Sequence, residues 1–106
     1  MRVLGLDPGT LRTGYGIVAS EGDRPVRVAS GVLRLGRVPL PQRLVRLHEA
    51  LVRLVETYHP DACAVEGLFH QRHARSALIL GHARGVCLLA AATRGIEVVE
   101  YAPATV

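Results

Sequence analysis

Apolar and polar positions along the chain change period several times, and those changes divide it into elements. Residues 2–7 form a short apolar run that closes on a carboxylate, Asp7, before Pro8-Gly9. A run of that length bounded by turn residues predicts a buried strand. Residues 13–20 predict a second strand, weakened at Gly14 and Gly16 or opened there to a close approach. Residues 21–25 are a turn by composition, and residues 26–35 a third strand, bulged or bent near Ser30-Gly31. Two short connections predict an antiparallel meander of these three strands.

The break at residues 36–41 contains Pro39 and Pro41, which suit the start of a helix. From Leu40 the period is helical: Leu44, Leu47, Leu51, Leu54 and Tyr58 recur three or four apart, and Glu49 with Arg53 makes an i,i+4 pair on an outer face. This helix ends near His59-Pro60. Residues 61–66 predict a fourth strand, which also closes on a carboxylate, Glu66. A loop over residues 67–71 leads into a long helix at residues 72–94. Its apolar stripe holds Ala74, Ala77, Leu78, Gly81, Gly85, Leu88 and Ala92. Ala77, Gly81 and Gly85, four apart, form a narrow seam that admits close packing. Gly95 stops the helix, residues 96–101 predict a fifth strand, and residues 102–106 read as the lead-in to a further helix. The order β-β-β-α-β-α-β, without internal repeats, predicts one α/β domain over residues 1–106.

Composition narrows the class. Apolar residues make up 49% of the chain, which argues against a disordered chain. No apolar run is long enough for a bilayer and no cleavable leader is evident, so the expectation is a cytoplasmic protein with no membrane partner. Cys63 and Cys87 lie far apart in apolar segments and read as buried thiols, neither a CxxC pair nor a disulfide framework. The net charge is +4 and all 13 basic side chains are arginine, which leans weakly toward an anionic partner.

The chemistry-bearing residues are the two carboxylates at strand ends. A helical crossover after a meander commonly sets strand four parallel to strand one and beside it, about 4.8 Å away. Asp7 and Glu66 then meet at the carboxyl edge of the sheet, where open α/β sheets hold ligands. Taken singly, Asp7 is better read as a cap of the Pro8-Gly9 turn and Glu66 as a solvated strand end. Taken together they favour a metal site. Oxygen ligands suit Mg²⁺ or Mn²⁺, and such ions support phosphodiester hydrolysis. Phe69, the only phenylalanine, reads either as a core plug or as an aromatic stacking on a base. Arg72, Arg75 and Arg84 read equally as a phosphate-binding face or a solvated one. His70 and His73 read as surface histidines, and Glu97 and Glu100 are poorly placed as a third ligand.

Leu6-Asp7-Pro8-Gly9 with Thr13-Gly14-Tyr15-Gly16 resembles the opening motif of the RuvC family of Holliday junction resolvases. Ala64-Val65-Glu66 with Phe69 resembles the family's second acidic motif, residues 76–86 its long helix, and Glu100-Tyr101-Ala102-Pro103 the segment after its fifth strand. The resemblance runs in register over essentially the whole chain. It implies a ribonuclease-H-like fold and a homodimer. It also implies Mg²⁺-dependent paired nicking of four-way DNA junctions in recombination and repair, alongside a branch-migration helicase complex. By position Asp7 and Glu66 would be catalytic metal ligands. Phe69 would be the junction-contacting aromatic, with Arg72, Arg75 and Arg84 on the DNA side, and the Ala77/Gly81/Gly85 seam would be the dimer interface.

His73 stands where the family usually has asparagine, and Gly67 where it has a larger polar residue. Family members also continue into a basic segment and an acidic helix. The expectation is therefore a C-terminally truncated chain holding part of a metal site, with little nuclease activity. Two other readings compete. Asp7-Pro8-Gly9-Thr10 matches the first phosphate loop of actin-like ATPases, although no second such loop follows. A non-catalytic junction-binding or dimerisation protein on the same fold would bind DNA and not cut it.

Overall fold

The computed structural model describes residues 1–66 and 74–101. Strand alternation sets the first layer. In β1 (Arg2–Asp7) Leu4 and Leu6 are buried, so Val3, Gly5 and Asp7 leave the opposite face. β2 (Arg12–Glu21) returns antiparallel, with Ile17 opposite Leu4 and Tyr15 opposite Leu6. β3 (Arg24–Arg34) pairs antiparallel with β2 through a two-residue Gly22-Asp23 hairpin, tighter than the five-residue turn that composition suggested. The bulge also differs from expectation. Ile17 pairs with Ala29 and Val18 with Arg27, so the extra residue is Val28. Gly31 sits in regular register opposite Tyr15. A Cβ there would lie 2.9 Å from the Tyr15 hydroxyl, so this glycine makes room for a ring and does not mark a bulge.

α1 (Leu40–Tyr58) starts after Pro39 and ends at His59, whose left-handed backbone sends its N–H to the Val55 carbonyl at 2.9 Å. Leu47, Leu51 and Leu54 are buried, as their spacing required. The expected Glu49–Arg53 pair is absent: among the described residues the ion pairs are Arg84–Glu100 and Arg94–Glu56. An exposed i,i+4 pair gains too little to hold two long side chains in one geometry.

β4 (Ala62–Glu66) lies parallel to β1, and β5 (Glu97–Tyr101) parallel to β4, giving the strand order β3-β2-β1-β4-β5. The start of the crossover pair is pinned. The Arg2 N–H donates to the Asp61 carboxylate at 2.8 Å, the Arg2 guanidinium to the Tyr58 carbonyl at 2.7 Å, and the Asp61 N–H to the Arg2 carbonyl at 2.8 Å.

α2 (Ala74–Thr93) packs with α1 over one face of the sheet, joining Leu4, Leu6, Ile17, Cys63 and Val65 in a single core. The side that α2 turns inward is Ala83, Cys87, Ala90 and Ala91, none of them on the expected apolar stripe, from which Leu88 packs partly buried against the core. Ala77 and Gly81 are half-buried and Gly85 is exposed. α2 is apolar around most of its circumference, so periodicity could not select its inner face. Its small inward residues let it sit close to α1. Both cysteines are free and buried, and burial pushes the Cys63 thiol up to about 11 and the Cys87 thiol up to about 12. No helix among the described residues is long and apolar enough to cross a membrane.

Candidate active site

Pairing of Leu4 with Cys63 and of Leu6 with Val65 brings the two strand-terminal carboxylates, Asp7 and Glu66, side by side on the face that carries neither helix. Asp7 is exposed and Glu66 half-buried. The Glu66 carboxyl is held above its usual range, first by hydrogen bonding to the Asp7 carboxyl, then by partial burial, then by the Asp7 charge. Two carboxylates in this relation share either a proton or a cation. As a donor set they are all oxygen and doubly negative, which fits a hard divalent ion and not zinc. Among the described residues no third His, Cys, Asp or Glu completes the cluster. Glu100 lies in register with buried Val65, on the helix side, and pairs with Arg84; Glu97 begins β5, at the opposite end of the sheet.

Beside Asp7 the sheet surface is stripped of side chains. Gly5 pairs with Gly16 and Asp7 with Gly14, and an open depression of about 320 Å³ lies against Gly5, Asp7, Gly14 and Gly16. A Cβ at Gly16 would meet nothing within 4 Å. Backbone is therefore open to a bulky ligand directly next to the carboxylates.

The turn that carries Asp7 into β2 is braced from within. Thr13 is fully buried, and its hydroxyl donates to the Gly9 carbonyl at 3.0 Å and accepts from the Gly9 N–H at 3.2 Å. A Cβ at Gly9 would fall 2.1 Å from the Arg12 carbonyl oxygen, so only glycine admits this closure. From α1, Arg43 donates to the Thr10 carbonyl at 3.3 Å while its Nε is buried without a partner. In sequence Arg43 simply falls off the leucine stripe of α1. Nothing local distinguishes it from Arg46 or Arg53, because its role depends on where the β1–β2 turn comes to rest.

Of the other residues singled out from sequence, Phe69, Arg72, His70 and His73 lie outside the described residues. Arg75 lies in the first turn of α2. Arg84 pairs with Glu100 on β5, and its Nε is buried without a partner.

Comparison with known proteins bears on this geometry. The family model described as crossover junction endodeoxyribonuclease RuvC matches residues 3–106. The protein of that name from Myxococcus xanthus (strain DK1622) is 54% identical over 107 residues, which cover 100% of this chain and 56% of that protein. Its counterpart from Anaeromyxobacter sp. (strain K) is 52% identical over 106 residues, covering 100% of this chain and 57% of that protein. Among solved structures, T. thermophilus RuvC in complex with a Holliday junction substrate superposes with a TM-score of 0.90 at 32% identity, covering 97% of this chain and 64% of that one. The chain spans a little over half the length of the curated relatives it matches.

Proposed function

The chain belongs to the RuvC family of crossover junction endodeoxyribonucleases, and on that footing we propose that Asp7 and Glu66 serve metal-dependent hydrolysis of four-way DNA junctions. The observation that carries the reading is their juxtaposition at the ends of two parallel strands, beside a sheet surface of glycines. Asp7 and Glu66 would hold Mg²⁺, or Mn²⁺ in its place, through their carboxylate oxygens. When bound there, the ion supplies Lewis-acid stabilisation of the charge that builds on the phosphoryl oxygens. The bare Gly5/Gly14/Gly16 surface lets a sugar-phosphate backbone come close without displacing side chains. Thr13 and Arg43 keep the β1–β2 turn fixed, so the Asp7 carboxyl meets substrate already oriented.

Paired nicking of a two-fold junction calls for two copies of the chain. Leu78, His82, Gly85 and Leu89 form an exposed row along α2, next to the Ala77/Gly81/Gly85 seam, and this row suits the helix-to-helix contact of a homodimer. Phe69, Arg72 and Arg75, at and before the start of α2, are proposed as the DNA-contacting group. Arg84 already has Glu100 and joins them only by exchanging partners. Work beside a branch-migration helicase follows from family membership.

Two measurements test the reading. Mn²⁺ titration followed by paramagnetic resonance should give a bound signal that Asp7→Asn and Glu66→Gln each abolish. A synthetic four-way junction should be bound in preference to duplex of equal length, and whatever Mg²⁺-dependent nicking the chain performs should be lost in both carboxylate variants. Unchanged Mn²⁺ binding by both variants, or equal affinity for duplex, would overturn it.

A further inference from the structure

Three arginines gather at the end of the sheet that carries Asp7 and Glu66. Arg12 opens β2 and Arg34 closes β3, and the antiparallel register sets them directly opposite each other. Like charges at opposed positions destabilise a strand pair. Among the described residues neither has a carboxylate partner, since the ion pairs there are Arg84–Glu100 and Arg94–Glu56. Arg37 completes the group. With Leu11, Arg12, Arg34 and Gly36 it lines a depression of about 300 Å³ whose wall contains three guanidinium groups and no carboxylate. All three arginines are exposed.

Two of the three arginines start from the working side of the sheet, although Arg34, at its edge, also borders a depression shared with Arg46, Glu49 and Arg53 of α1. Thr13, which follows Arg12, is buried, and Leu33 and Leu35, which flank Arg34, pack into the core. Alternation therefore sends Arg12 and Arg34 from the face that Asp7 also leaves. The rim is held in place. The Leu35 N–H donates to the Leu11 carbonyl at 2.9 Å, and Arg46 donates to the Leu35 carbonyl at 2.8 Å. Gly36 turns the chain with a φ of +81°, where a Cβ would lie 2.7 Å from the Arg46 guanidinium.

We infer that this depression binds a backbone phosphate of the DNA strand that passes the Asp7–Glu66 site, an assignment that rests on the nuclease reading above. Asp7 pairs with Gly14, two residues along from Arg12. Strand spacing and rise then put Arg12 about 8 Å and Arg34 about 12 Å from Asp7, backbone to backbone. At a rise of about 3.4 Å per nucleotide that is two to four nucleotides from the bond to be cut. Guanidinium forks match phosphate oxygens. A phosphate seated between Arg12 and Arg34 also relieves the repulsion that the register imposes, so the strand pair is made for an anion.

The test uses this chain with Arg12→Gln, Arg34→Gln and the double variant. Arg24→Gln, at the far end of β3, removes the same charge as a control. Each is titrated in EDTA with a labelled four-way junction and with a linear duplex over a series of salt concentrations. The slope of log affinity against log salt should become shallower by about 1 for each arginine replaced at the depression. Arg24→Gln should leave it unchanged. Melting temperatures of the single variants should equal or exceed that of the parent, because removing one charge removes the repulsion; this separates lost binding from lost folding. Equal slopes in all variants, or the same change in Arg24→Gln, would overturn the assignment while leaving junction binding intact. Equal affinity for junction and duplex with the expected slopes would overturn the junction reading and keep the phosphate site. Binding of poly-glutamate in place of any DNA would assign the depression to an acidic protein and overturn both.

Discussion

Thr13 and Gly9 satisfy each other completely: one buried hydroxyl both donates to the Gly9 carbonyl and accepts from the Gly9 N–H. The turn that follows Asp7 is thereby closed by a side chain four residues on. Thr13→Val keeps the shape and strands both Gly9 groups, which costs about 1–3 kcal/mol. For a chain of this size that lowers the melting temperature by several degrees, at about 4–8 °C per kcal/mol. Thr13→Ser should recover most of the loss. Gly9→Ala should be worse than Thr13→Val, because its Cβ would overlap the Arg12 carbonyl. Thermal melts of the three variants check the order.

The acidic pair makes stability depend on pH. The Glu66 carboxyl is raised in the folded chain, chiefly by its hydrogen bond to Asp7. The folded state therefore holds more protons than the unfolded one between the ordinary glutamate range and the raised value. The stabilising contribution is fully present below that range and is lost as pH rises through the raised value. Metal-free protein should show a falling contribution across this window in melts from about pH 4 to about pH 8. Glu66→Gln should flatten the dependence, and Mg²⁺ should raise the melting temperature of the parent at neutral pH more than that of the variant.

Cys63 and Cys87 should be silent toward thiol reagents in the folded chain. With the Cys63 thiol pushed up to about 11, its thiolate fraction near pH 8 is on the order of one in a thousand, and burial blocks access as well. Labelling by a chromogenic disulfide should appear only with denaturant and should track unfolding. Rapid labelling of native protein would mean that the α1–α2 packing opens locally.

The exposed row on α2 should govern self-association. Leu78 is 71% and Leu89 55% exposed, large values for apolar residues on a helix face. Leu89→Asp should weaken the proposed dimer at least tenfold by sedimentation equilibrium without lowering the monomer's melting temperature. An unchanged association constant, or a monomer at all concentrations in the parent, would overturn this assignment.

Much of this was already determined by the sequence alone. The period-two runs and the leucine spacing of residues 44–58 fix strands and the first helix because both depend on near neighbours. Buried thiols and a carboxylate at each of two strand ends were equally legible, and the motifs around Asp7 and Glu66 were enough to mark the family. Tertiary structure decided what depends on register and on faces. Asp7 meets Glu66 only because parallel pairing aligns Leu6 with Val65 across 58 intervening residues, a long-range choice that no local pattern encodes. The inner side of α2 was open because the helix is apolar nearly all round, and only the fit of Ala83, Cys87 and Ala90 against α1 selects it. The opposition of Arg12 and Arg34 follows from a hairpin two residues long and a bulge at Val28, which together set which charges face each other. One residue of slip would have sent Arg34 to the other face and dissolved the arginine pair.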